Sequence, residues 1–212
     1  MHTSFARAAW PMTVLPLVAC LIAAPTARGQ SLSPSTLGIS VQLHGVAGTM
    51  NTAIYPRASG STALGFGGDV SYGASPRLSL VGRLARITSK SEIPTESTDY
   101  AIVQGDLVLR WMQSPGARVR PFVEAGLALR RLAFEYAEAA GVLNDFTAFN
   151  GGATASLGVM VFQTESMSVE GAGTYTSGNF STWKVNGKSE SLAQMTSEML
   201  GVRVGVRYWL KR

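Results

Sequence analysis

From about Leu37 to Leu210 the chain alternates apolar side chains with polar or very small ones at a spacing of two residues. Arg120 to Arg130 shows this most plainly: Pro121, Val123, Ala125, Leu127 and Leu129 alternate with Glu124, Gly126, Ala128 and Arg130. A period of two is that of a β-strand with unlike faces. Seven further stretches repeat it. The first, about Leu37 to His44, sets Leu37, Ile39, Val41 and Leu43 against Gly38, Ser40, Gln42 and His44. The second, about Ala63 to Ala74, sets Leu64, Phe66, Val70 and Tyr72 against Gly65, Gly67, Asp69, Ser71 and Gly73. The third, about Arg77 to Ile87, opposes Leu78, Leu80 and Leu84 to Ser79, Arg83 and Ala85, with Val81 and Ile87 breaking the pattern. The fourth, about Tyr100 to Met112, sets Ala101, Val103, Leu107, Leu109 and Trp111 against Gln104, Asp106 and Arg110. The sixth and seventh run from about Gly152 to Phe162 and from about Met167 to Thr176. The eighth, about Leu200 to Leu210, alternates Leu200, Val202, Val204, Val206, Tyr208 and Leu210 with Gly201, Arg203, Gly205, Arg207 and Trp209.

The connections alternate long and short. Ser75-Pro76, Ser114-Pro115-Gly116 and Gln163–Ser166 are tight; the segments after His44, from about Thr88 to Thr98, from about Leu132 to Phe149, and from Ser177 to Met199 are long. Ala137 to Ala140 has the composition of a helical turn. Val185-Asn186-Gly187-Lys188 carries the Asn-Gly pair of a two-residue hairpin, so the seventh and eighth strands are expected to continue, paired, beyond the rim. The pattern predicts an all-β fold: an eight-stranded antiparallel up-and-down barrel with tight turns at one end and long loops at the other, the layout of an outer-membrane barrel.

Charge decides which face looks outward. Beyond the leader there are four lysines, Lys90, Lys184, Lys188 and Lys211, all in predicted loops or at the terminus. The strands' polar faces carry Asp69, Asp106, Glu124 and Glu170 against Arg83, Arg110, Arg130, Arg203 and Arg207. A basic residue facing lipid costs about 2–4 kcal/mol near the midplane, so these nine are expected to line the lumen as a salt-bridge network. Asp69 and Arg83 lie symmetrically about Pro76, and Arg110 and Glu124 about Ala117, which predicts each acid directly opposite an arginine. Tyr72, Trp111 and Tyr208 fall on the outer face as an aromatic girdle; Phe122 falls inward. Eight strands enclose a lumen just wide enough for side chains to fill, so a plugged barrel is expected.

Composition agrees with one domain. The 212 residues are 46% apolar and only 15% charged, against a usual charged share of about 25%. Residues 1–29 read as a secretory signal: Arg7, an apolar run from Ala8 to Ala24, and Ala27-Arg28-Gly29 before Gln30. Residues 30–35 form a short lead and 36–212 the barrel. Leu17-Val18-Ala19-Cys20 offers the rival reading of a lipoprotein box, but the apolar run continues past Cys20, the one cysteine. Arg7 and Arg28 are two of the 18 basic residues, which leaves 16 against 13 acidic, or about +3. So mild and scattered an excess argues against nucleic acid.

Arg120-Pro121-Phe122-Val123-Glu124-Ala125-Gly126-Leu127 resembles the recurrent proline-aromatic-x-x-x-glycine strand of the small eight-stranded outer-membrane barrels, those like the OmpA transmembrane domain and the OmpX/Ail group. Leu200–Leu210 resembles their closing strand. The resemblance covers about Leu37 to Leu210. It implies the bacterial outer membrane as location, its lipid and the barrel-assembly machinery as partners, and a structural or surface-interaction role. The chain departs from the family in finishing on Leu210-Lys211-Arg212 rather than an aromatic residue. No peptidoglycan-binding segment follows, so cell-wall tethering is not implied.

Catalytic chemistry finds little support. His44 is the one histidine beyond the leader; Ser40 shares its face, but four residues along a strand separate them by roughly 13 Å. One histidine and no further cysteine make neither a zinc site nor a thiol site. Gly65-x-Gly67-Gly68 and Gly151-Gly152 do not lead into helices and read as barrel glycines rather than phosphate loops. No cofactor is expected. Trp183, on the projecting hairpin, is the candidate for contact with a surface partner through the outer loops. Two other readings stand beside the structural one: a lipid-modifying barrel enzyme working around His44, and a soluble lipocalin-like carrier.

Overall fold

A computed structural model describes residues 35–52, 61–90, 99–137, 143–190 and 195–210. The signal-peptide reading, its cleavage after Gly29 and the rival at Cys20 lie outside them. Among the described residues nine strand segments follow one another: β1 (Gly38–Thr52), β2 (Ser61–Gly73), β3 (Leu78–Lys90), β4 (Asp99–Met112), β5 (Val119–Ala137), β6 (Leu143–Phe162), β7 (Met167–Val185), β8 (Lys188–Glu190) and β9 (Met195–Trp209). Each pairs antiparallel with its sequence neighbour from β1 to β8, while β9 pairs with both β7 and β1 and closes the sheet. β8 and β9 together make the eighth stave, so the barrel is eight-stranded. No helix among the described residues is long and apolar enough to cross a membrane, which says nothing about a β-barrel.

Alternation sets the faces throughout. Leu43 is 78% exposed, Leu129 71% and Phe66 70%, while the residues between their like are buried. In water such a surface would be one apolar patch far larger than soluble monomers carry; in lipid it is simply solvated. A soluble lipocalin-like carrier needs the opposite polarity, and that reading falls. Tyr72, Trp111 and Tyr208 are about half exposed on the outer face, at the tight-turn end, where an inner girdle belongs. Val81 and Ile87, which broke the alternation, are buried inside the barrel.

The predicted registers hold. Asp69 stands opposite Arg83, and Arg110 opposite Glu124. At the hairpin tip Asn186 and Gly187 have φ of 51° and 77°, the left-handed pair that a type I′ turn requires. The tip does not stand alone: Asn186 N donates to the Asp145 carbonyl and Asp145 N donates to Asn186 Oδ1, both at 2.9 Å, docking it on β6.

The long connections are shorter than the sequence suggested, because the strands run on through them. β1 continues from Gly45 to Thr52, β5 reaches Ala137 and β6 begins at Leu143. The proposed turn at Ala137–Ala140 thus meets a strand end at Ala137; residues 138–140 lie outside the described residues. Lys90, Lys184 and Lys188 likewise fall in strand ends rather than loops. β5, β6 and β7, at 19, 20 and 19 residues against 13 to 15 for β1 to β4, build a wall above the rim. At about 3.3 Å per residue and a tilt near 40°, 19 residues rise roughly 48 Å, about twice an apolar band of ~25 Å.

So narrow a barrel bends its strands sharply, and glycine on the inner face permits the approach. A Cβ on Gly126 would strike the Leu107 carbonyl and come within 2.6 Å of Val108 Cα on the facing strand. Gly126→Val is therefore expected to cost about 1–3 kcal/mol or more by overpacking. It should lower the refolded fraction read as the heat-modifiable gel band; an unchanged fraction would show that β4 and β5 separate freely.

Candidate functional site: the charged lumen

Inward parity on β2, β3, β4, β5, β7 and β9 brings charges together at mid-height. Glu124 is the hub. Its carboxylate accepts from Arg110 Nη2 at 2.7 Å, Arg203 Nη2 at 2.9 Å and Arg83 Nη2 at 3.1 Å. Arg110 reaches on to Glu170 at 2.9 Å, and Glu170 also accepts from Arg207 Nε. Arg207 Nη2 lies 2.7 Å from Asp69 Oδ1 as an ion pair, and Arg83 Nε lies 3.8 Å from Asp69 Oδ2. The path Glu124–Arg110–Glu170–Arg207–Asp69–Arg83 returns to Glu124, a closed ring of alternating charge. Asp106 joins at Arg83, 3.3 Å away and directly opposite it in register. Arg203 joins at Glu124. Four carboxylates and four guanidiniums therefore balance to zero.

Every member is buried. Removing such charges from water costs several kcal/mol per ion, which mutual attraction offsets only where the remaining donors are also bonded. Much of that bonding is present. Arg207 Nη1 donates to Ser40 Oγ and Ser71 Oγ, both at 2.9 Å, and Nη2 donates to Gln42 Oε1 at 2.8 Å. Gln104 Nε2 donates to Asp106 at 2.9 Å.

Of the nine expected network residues, Arg130 stands apart. It is buried, but donates to Ser197 Oγ at 3.2 Å and the Ser197 carbonyl at 3.0 Å, and pairs with no carboxylate among the described residues. It sits too far up β5, six residues above Glu124. Arg120 was missed, although it shares the inward parity of Phe122 and Glu124. It is 1% exposed, donates to the Ala117 carbonyl at 2.8 Å, and lies 4.6 Å over the Phe162 ring.

Apolar layers close the lumen on both sides of the ring. Met112, Phe122, Met160, Phe162, Ala172 and Trp209 fill the tight-turn end, with Arg110 4.3 Å over the Phe122 ring. At the other end Tyr100 meets Phe134 edge to face, and Phe134, Phe146, Trp183 and Phe180 continue the cluster as tilted pairs, with ring centroids 4.5 to 5.8 Å apart along the chain of contacts. Trp183, expected at the surface, is 1% exposed and belongs to this cluster. Odd positions at the top of β7 point inward because the register shifts at Phe149/Asn150, so that Asn150 faces Phe180 while Phe149 faces Thr182. Between ring and outer cluster remains a cavity of about 20 Å³ beside Arg83, Gln104 and Arg203, room for about one water.

Ser40 is bonded to Ser71 at 2.6 Å and to Arg207, and His44 has no hydrogen-bond partner at either ring nitrogen. The two form no nucleophile–base pair. Among the described residues no group of three or more His, Cys, Asp or Glu could hold a metal ion. Gly65, Gly67 and Gly152 face the interior, whereas Gly68 and Gly151 face outward.

No protein-family model matches this sequence, and no curated protein matches it. Solved structures do. Neisserial surface protein A superposes with a TM-score of 0.58 at 17% identity, over 82% of this chain and 97% of that one. The outer-membrane protein OprG from Pseudomonas aeruginosa gives 0.56 at 12% identity, over 84% and 98%. Ail, the attachment invasion locus protein of Yersinia pestis, solved with the heparin analogue sucrose octasulfate, gives 0.50 at 11% identity, over 82% and 100%. With a closed eight-stranded sheet, an apolar exterior and a charged interior, this chain has the fold of the small eight-stranded outer-membrane β-barrels.

Proposed function

We propose that the protein is an integral barrel of the bacterial outer membrane with a structural or surface-interaction role, no catalytic activity and a lumen closed to transport. The buried, charge-neutral ring carries this reading: its arginines and carboxylates are engaged with one another, leaving no free acid–base pair and no water column. Lipid surrounds the apolar belt, and the barrel-assembly machinery would insert the chain. An unidentified partner would meet the wall that β5, β6 and β7 raise above the rim, and not Trp183, which is buried. The lipid-modifying alternative would need a base beside a nucleophile, and His44 has none.

Cell fractionation with heat-modifiable electrophoresis tests this reading. The unboiled protein is expected in the outer-membrane fraction, migrating as a compact species that boiling slows. Recovery from the soluble periplasm, or one mobility whatever the temperature, would overturn it.

A further inference from the structure

Two arginines lie on the wrong side of the wall. Arg86 of β3 and Arg131 of β5 have outward parity and are exposed, and both stand opposite Val103 of the intervening β4. Two strand spacings put their Cα atoms roughly 10 Å apart. On the same row Phe66 stands opposite Arg86, and Phe149 opposite Arg131, so an exposed aromatic flanks the pair on each side. Among the described residues neither arginine has an ion-pair or hydrogen-bond partner.

Their height matters. Arg86 is eight residues up β3 from Leu78, roughly 20 Å along the barrel axis, and Arg131 twelve residues up β5 from Val119, roughly 30 Å. Against an apolar band of ~25 Å, both guanidiniums reach the long-loop interface, Arg86 by snorkelling upward along its own stem. Directly below Arg131 the wall is hollow. Val103, Leu129, Arg131 and Phe149 surround a depression of about 390 Å³ floored by Gly105 and Gly151. A Cβ on Gly105 would meet nothing nearer than the Arg83 carbonyl at 3.9 Å.

We infer that this row is a binding site for a phosphate-bearing anionic lipid of the outer leaflet, its phosphate between Arg86 and Arg131 and an acyl chain in the hollow beneath. Two cations without a protein partner among the described residues at the headgroup level call for an anion, and the hollow beside them, bordered by the outward-facing Val103, Leu129 and Phe149, suits an acyl chain, which makes that anion a lipid's. The inference rests on the membrane reading above.

The test uses the full chain refolded in phosphatidylcholine nanodiscs, with heat-modifiable migration verified first and lipid A, a bisphosphorylated glycolipid, as the probe. Native mass spectrometry should show about thirtyfold preference for lipid A over phosphatidylcholine, the fold-change of two contributions of about 1 kcal/mol each. Arg86→Gln with Arg131→Gln should abolish the preference while the barrel stays heat-modifiable, and the paired Lys variants should retain most of it. Gly105→Leu, which fills the hollow without touching either arginine, should weaken retention of lipid A. Undiminished preference in the double Gln variant would overturn the site. Displacement of lipid A by millimolar inorganic phosphate alone would make it a free-anion site and overturn the lipid assignment. A protein that never becomes heat-modifiable fails the membrane reading itself, and this site falls with it.

Discussion

Glu124→Gln is expected to lower the unfolding free energy by about 3–5 kcal/mol, the cost of removing one partner from a buried ion pair. Glutamine keeps the shape and deletes the charge that Arg83, Arg110 and Arg203 share. It also turns an amide donor toward guanidiniums that can only donate. Arg203 loses its one carboxylate, whereas Arg83 keeps Asp106 and Asp69, and Arg110 keeps Glu170. Because the pairs are buried, salt should screen the effect little. Denaturant titration of the refolded barrel, followed by gel mobility and circular dichroism, measures it. A change below about 1 kcal/mol, the range of exposed pairs, would mean that water reaches the ring.

Trp183→Ala should cost about 3–5 kcal/mol, as truncation of a buried tryptophan does. The damage should be local. Trp183 packs on Phe146 and Phe180 at 4.8 and 5.8 Å, all above the ring, so the hairpin at Asn186-Gly187 should loosen while the membrane belt holds. Limited proteolysis of the folded barrel should then cut faster near residues 183–190 and not at Ser75-Pro76 or Ser114-Pro115. Unchanged cleavage would place Trp183 at the surface, where the sequence alone had suggested it.

What was legible in the sequence was whatever a period of two and a tight turn determine. Placing Asp69 and Arg83 about Pro76, or Arg110 and Glu124 about Ala117, needs only parity and short-turn symmetry, and both registers followed. The outer third was misread for a physical reason. Above the membrane both faces of a strand meet water or protein, so the outward residues become polar and the alternation weakens: Thr147 and Asp145 alternate with Ala148 and Phe146, which are buried. The segment therefore looks like loop although it is paired. Parity also says nothing about height. Arg130 shares a face with Glu124 but stands above the ring, and Trp183 changed face because of one bulge that no residue type announces. Arg86 and Arg131 carried a visible signal, charge at lipid-facing parity, whose meaning depends on the cross-strand alignment that brings them to one row.

Planar-bilayer recording on the refolded protein tests the closed lumen most directly. With the charged ring sealed between two apolar layers, no steady conductance should appear in wild-type protein. A stable open channel whose conductance changes in Arg83→Gln would show that ions pass through the ring, and would contradict the closed barrel described above.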